Sequence, residues 1–247
     1  MNTFIRLPAK VLLGALALMS FSEISYGQEP PAIASPVVVE LFQSQGCSSC
    51  PPAEANLNAI AGQPNILALS FAVTYWDNLG WKDTFASEAF TNRQYDYSHY
   101  QKQDGVYTPQ VIVNGQTAIV GSDRAQLDQV IAHAHTQGPS LSWANGQLQV
   151  GAGKPAAPTD VWLVRYDPRT IDVAIRAGEN GGRTLPHRNV VRELVNLGTW
   201  DGHAKTFAMP APTISGLSTA ALVQIKHGGD ILSASKASDA ARDTASR

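Results

Sequence analysis

The chain has 247 residues, with 18 basic and 20 acidic side chains and a formal net charge of −2. No basic stripe appears, so composition offers no electrostatic case for nucleic acid as a partner. Two cysteines cannot staple a chain of this length, so burial of its apolar residues, 44% of the total, must hold the fold together.

Residues 1–27 read as a secretory signal peptide. Arg6 and Lys10 give the positive start, "VLLGALALMSF" (Val11 to Phe21) the short apolar run, and Ser25 and Gly27 the small-x-small cleavage pattern. A spanning helix needs about 20 apolar residues, so no stable membrane anchor is expected after cleavage. The expected mature chain starts near Gln28 and carries 16 basic and 19 acidic residues. Its destination is secretion, which in a bacterium means the periplasm, where disulfides form and persist.

Residues 28–36, "QEPPAIASP", read as a spacer. "VVVELF" is a β-branched run and predicts a buried strand. Pro51 and Pro52 suit the first turn of a helix, which "AEANLNAIAG" continues to Gly62. "ILALSFAVTY" predicts a second apolar strand, and the resulting βαβ unit predicts that the two strands run parallel. Residues 76–105 read as a polar, aromatic helical insertion, with Thr84 and Ser87 as possible caps. "TPQVIVNGQTAIVG" predicts a hairpin turning at Asn114-Gly115, and "SDRAQLDQVIAHAHTQG" a capped helix. From residue 139 to 235 come short strand-like runs separated by Gly, Pro and Asp, including a second Asn-Gly hairpin, "LSWANGQLQV". They predict a separate small antiparallel sandwich with a domain boundary near 139. Residues 236–247 are small and polar and predict a disordered tail.

The chemistry centres on "FQSQGCSSCPPAE", which holds both cysteines, Cys47 and Cys50. Three readings compete. A closed zinc site needs about four ligands. There is no second CxxC, and His133 and His135 point to different helix faces, so no metal is expected. A structural disulfide closing four residues removes little chain entropy. The redox reading uses the closeness: one thiolate attacks a substrate disulfide and its neighbour resolves the mixed disulfide. Unpaired N–H groups and the macrodipole at a helix N-terminus favour a thiolate there.

The order strand, CxxC at a helix start, helix, strand, insertion, X-Pro, hairpin, helix resembles the thioredoxin superfamily. "YTPQVIVNG" is similar to the glutaredoxin pattern of a cis-proline followed by a strand and an Asn-Gly turn. With "CSSCPPAE", "YWDNLGWKDTF" and "GRTLPHRNVVREL", the stretch Val37 to Ser235 resembles a secreted thioredoxin-like family known as domain of unknown function 1223. The resemblance implies an α/β thioredoxin-like domain over 37–138 followed by the β-rich domain. It makes Cys47 the exposed attacking thiol and Cys50 the buried resolving one. Pro51 departs from the common pattern by disfavouring helical geometry at Cys50, which leaves Cys47 further from the dipole.

Glu40, on the first strand, is the candidate acceptor of the resolving proton, with a strand-end charge as the plain alternative. Thr108-Pro109 is expected to be cis, to lie against the disulfide and to present its backbone to an extended substrate. Tyr75, Trp76 and Trp81 are candidates to line a substrate groove, or else pack within the insertion. Gly121-Ser122-Asp123 is expected to serve as a plain helix cap rather than a carboxylate site. His187, Arg188 and Arg192 are expected on a solvated strand face. The function expected is a secreted thiol–disulfide oxidoreductase acting on a protein or small-molecule thiol or disulfide. It needs no cofactor beyond its own disulfide, with glutathione left open. The alternatives are a binding module with a static disulfide and a glutathione-dependent enzyme.

Overall fold

The computed structural model describes residues 1, 3 and 35–238. All of the expected signal peptide but residues 1 and 3, nearly all of the spacer, and residues 239–247 of the tail lie outside the described residues. Residues 35–238 fall within one compact unit.

Strand β1 (Val37–Gln43) leads through the CxxC loop into α1 (Pro51–Ile60), which returns to β2 (Ile66–Ala72). The two strands are parallel, from Val37 opposite Ile66 to Gln43 opposite Ala72. Helix α2 (Glu88–Tyr100) fills the insertion, and β3 (Gln110–Val113) pairs antiparallel with β1. Asn114 and Gly115, both at positive φ, turn β3 into β4 (Thr117–Ile119). The Asp123 carboxylate accepts from the N–H groups of Ala125 and Gln126 and so caps α3 (Arg124–His133).

The second half supplies β5 (Leu141–Ala144), β6 (Gln147–Val150), β7 (Thr159–Asp167), β8 (Ile171–Ala174) and β9 (Thr184–His187). It ends with β10 (Val190–Trp200), β11 (Lys205–Ala208), β12 (Ser218–Ile225) and β13 (Ile231–Lys236). The boundary expected near residue 139 does not separate two sheets. One eight-stranded sheet runs β13-β12-β7-β10-β2-β1-β3-β4, so strands from both halves share it. The junction is β10 beside β2, where Val190 pairs with Ser70. Strands β11-β6-β5 form a small second sheet, and β8-β9 a hairpin. Lys236, assigned by sequence to the tail, is the last residue of β13.

The period of two along each strand sorts the core into three layers. Val39 and Leu41 of β1, with Ala68 and Val111, pack against Leu57 of α1 and Leu127 of α3. On the other face Val38 and Phe42 meet Phe90 and Tyr97, together with Val164, Leu222 and Ile231 from the second half. Residues alternating with those, Val161, Ala221 and Val223, cover Leu148 and Phe207 of the small sheet. Both faces of β1 and β2 are therefore buried, which explains their unbroken apolar runs.

Candidate functional site

Cys47 and Cys50 form a disulfide between the end of β1 and the start of α1. Regular helix begins at Pro51, with Cys50 at its N-cap. Cys50 is 2% exposed, but Cys47 is 0% exposed, contrary to its expected accessibility. Only Ser48 and Ser49 between them reach solvent.

Side chains from elsewhere fix the loop that carries the disulfide. The Gln45 N–H donates to Asp83 Oδ2 at 2.7 Å, and the Gly46 N–H donates to Ser44 Oγ at 3.1 Å. Burial raises the Asp83 carboxyl above its ordinary value, opposed by the N–H groups of Gln45 and Phe85. Trp81 Nε1 donates to Gln45 Oε1 at 2.9 Å. From the β8–β9 loop, Asn180 Nδ2 donates to the carbonyls of Gln45 and Cys47 at 3.0 and 2.9 Å. Glu179 Oε2 accepts from the Ser48 N–H at 3.0 Å and from Ser48 Oγ at 2.7 Å.

Behind Cys50 lies a cavity of about 30 Å³ lined by Gln43, Ser44, Cys50, Glu54, Leu185 and His187, among others. A space of that size admits a water. Glu54 sits four residues after Cys50, hence on the same face of α1. His187 Nδ1 lies 3.1 Å from Glu54 Oε1, at ion-pair distance but off the hydrogen-bonding line. Ser70 Oγ donates to the same Glu54 oxygen at 3.4 Å. Glu54 Oε2 and His187 Nε2 are buried with no hydrogen-bond partner. Burial alone pushes the imidazole down, but Glu54, with smaller contributions from Asp83 and Asp172, overcomes it and raises His187 above its ordinary value. The solvated strand face expected for His187 is thus wrong. Strand β9 runs beneath α1, and Phe85 stacks edge-on against the imidazole at 5.8 Å. Arg192, also expected on that face, instead places its guanidinium over the Phe85 ring at 5.2 Å.

Glu40 is fully buried, yet it faces away from α1. It alternates with Val39 and Leu41, the residues that touch that helix. Arg93 Nε and Nη2 donate to its two oxygens at 2.8 and 3.2 Å, and the Tyr97 hydroxyl donates to Oε2. Gln224 Nε2 of β12 donates in turn to the Tyr97 hydroxyl at 2.9 Å. Glu40 therefore ties β1 to α2 and to the second half of the chain, and its carboxylate is not on the Cys50 side of the sheet.

The Thr108–Pro109 bond is cis and Pro109 is buried. Extending the β1–β3 register places Pro109 opposite Gln43, at the strand end from which the CxxC loop departs. Trp76 Nε1 donates to Thr108 Oγ1 at 2.7 Å, so these two candidates meet. Tyr75 donates to Gln94 Oε1 at 3.2 Å, and burial pushes its phenol up to about 12. Trp81 is committed to Gln45. Trp81 braces the loop and Trp76 the segment before the cis proline, while Tyr75 is bonded to α2. Sequence reading missed Glu54, Asp83, Glu179 and Asn180. Only Glu54 carried a signal, its helical spacing from Cys50.

The family described as "Protein of unknown function (DUF1223)" matches residues 38–225. This chain is a DUF1223 protein. The DUF1223 match takes in β1 through β12 and so includes the disulfide, Glu54, Glu179 and His187. The chain is similar to a crystal structure of a protein from Agrobacterium tumefaciens determined by a structural genomics consortium. That similarity has 30% identity, a TM-score of 0.68, and coverage of 83% of this chain and 94% of the other. HBP35 of Porphyromonas gingivalis shares the fold at 12% identity and a TM-score of 0.54, over 83% of this chain and 75% of that one. No curated protein matches.

Proposed function

We propose that this DUF1223 protein is a secreted thiol–disulfide oxidoreductase, built on a thioredoxin-like half that carries the Cys47–Cys50 dithiol. The observation that carries this reading is the Glu54–His187 couple sharing a cavity with Cys50. A buried ionisable pair with unfilled hydrogen-bonding atoms is costly, and a static disulfide has no use for one. A dithiol that opens and closes must deliver and remove a proton at its buried sulfur. Asp83, Asn180 and Glu179 also support the reading. They hold the loop through atoms other than sulfur, so the fold has no need of a closed disulfide to keep the loop in place.

In the cycle, a substrate thiolate attacks Cys47 Sγ. The S–S bond breaks, and its electron pair leaves on Cys50 as a thiolate, which takes a proton from the His187–Glu54 couple. A second substrate thiol, deprotonated, then attacks the mixed disulfide at the substrate's own sulfur. This releases Cys47 as a thiolate and leaves the substrate oxidised and the protein reduced. Run backwards, with His187–Glu54 accepting the Cys50 proton, the same steps reduce a substrate disulfide. The partner is a protein or small-molecule thiol or disulfide, and the setting is the periplasm if the host is bacterial.

The test is trapping with Cys50→Ala, combined with titration of the wild-type dithiol against a redox buffer. A mixed disulfide on Cys47 and an equilibrium within the physiological range support the cycle. No trapped partner and a potential well below about −300 mV would establish a static bridge.

A further inference from the structure

Cys47 has no exposed surface, although its sulfur is the one a substrate must reach. The β8–β9 connection is bound to its loop. Its contacts to the loop are polar: Glu179 on the Ser48 N–H and Oγ, and Asn180 on the carbonyls of Gln45 and Cys47. The connection is internally ordered, since Ile175 N–H donates to the Arg183 carbonyl at 2.8 Å and Gly182 N–H to the Ile175 carbonyl at 2.8 Å. It can therefore move as a unit. Two glycines flank the Glu179–Asn180 tip, Gly178 at φ +73 and Gly182 at φ +86, conformations that favour glycine. Gly178 also packs where a Cβ would come within 3.1 Å of the Trp81 side chain. Glu179 is exposed, so water competes directly for its two hydrogen bonds.

We propose that the β8–β9 connection is an autoinhibitory strap: Glu179 on Ser48 and Asn180 on the Gln45 and Cys47 carbonyls hold it over Cys47, and loosening of the exposed Glu179 contact favours its release and opens the sulfur to attack. The inference rests on reading Cys47 as the attacked sulfur. It assigns regulation to that site, because a partner that draws Glu179 off Ser48 leaves only the two Asn180 hydrogen bonds to hold the strap on the loop. The strap belongs to the second half of the chain, which gives that half a role at the dithiol.

The test follows reduction of the oxidised mature protein by dithiothreitol, quenched by alkylation and read by mass, with no physiological substrate required. Removing charge-assisted hydrogen bonds makes opening easier, so Glu179→Ala should react about tenfold faster than wild type. Ser48→Ala, which keeps the backbone donor and loses only the hydroxyl, should fall between the two. Both positions are exposed, and unchanged thermal midpoints show that the fold is intact. Rates within twofold of wild type in both variants overturn the strap. The assay separates the two claims. Faster reduction with no trapped partner would leave a gated disulfide without the proposed cycle. A trapped partner with unchanged rates would leave the cycle without a gate.

Discussion

At the scale of single residues, two buried carboxylates near the cysteines, one seven residues before Cys47 and the other four residues after Cys50, have opposite assignments. Glu54 and His187 share the Cys50 cavity, while Glu40 is sealed between Arg93 and Tyr97. Glu54→Gln and His187→Gln should each slow the step in which Cys50 gains or loses its proton by about 10²-fold, the usual cost of losing a general acid or base. Glu40→Gln should leave that step unchanged and lower the unfolding free energy instead, because it weakens a buried ion pair. Rapid-quench kinetics on trapped mixed disulfides, alongside denaturant unfolding, separates the two effects. The same pair predicts a pH dependence. His187 is raised in the fold above its ordinary 6.5, so it binds its proton more tightly folded than unfolded. Its contribution to stability is complete below about 6.5 and is lost as pH rises through the folded value. The thermal midpoint of wild type should therefore fall relative to His187→Gln between mildly acidic and mildly basic pH. Parallel curves for the two proteins would show that the couple is not charged as described.

Among the secondary-structure elements, local signals placed most boundaries, and close approach explains what they left open. Ser87 stands at the N-cap of α2 without a side-chain bond, Asp123 caps α3, and the Asn-Gly pairs at 114–115 and 145–146 turn their hairpins at positive φ. Such features act within a few residues of chain, so sequence displays them. The arrival of α3 on the sheet depends on a tighter fit. Gly121 sits at φ +80, and a Cβ there would lie 2.3 Å from Val111 Cγ2. Gly121→Ala should cost about 1–3 kcal/mol through overpacking, read as a lowered denaturant midpoint with little change in dithiol chemistry. The Asn56 side chain, which donates to the Gly121 and Ser122 carbonyls at 3.0 Å, should lose its anchor in that variant.

For the whole molecule, the two halves depend on one another. Strand β10 covers the edge of β2, and Phe42 and Tyr97 share a core with Val164, Leu222 and Ile231. A fragment covering residues 28–138 would expose that face and leave Tyr97, the partner of Glu40, without Gln224. It should not fold cooperatively, whereas residues 28–247 together should unfold in one transition with coincident fluorescence and circular dichroism curves. A stable, cooperatively folding fragment would restore the separate domains read from the sequence.

The sequence by itself determined the elements that arise from neighbours along the chain: the parallel β1–α1–β2 unit, the Asp123-capped helix α3, the Asn-Gly hairpins and the closeness of the two cysteines. Their signals are periodicity, capping and turn chemistry, which act over a few residues. Only the tertiary structure decided that strands after residue 139 join the first sheet, because an apolar strand encodes a buried face but not the neighbour it pairs with. It also decided that Glu40 turns away from α1, since a one-residue difference in strand position selects the opposite face. The Glu54–His187 couple and the Glu179–Ser48 contact join residues 133 and 131 positions apart, respectively. Nothing local marks either pair; packing of β9 and its preceding loop against α1 brings them together.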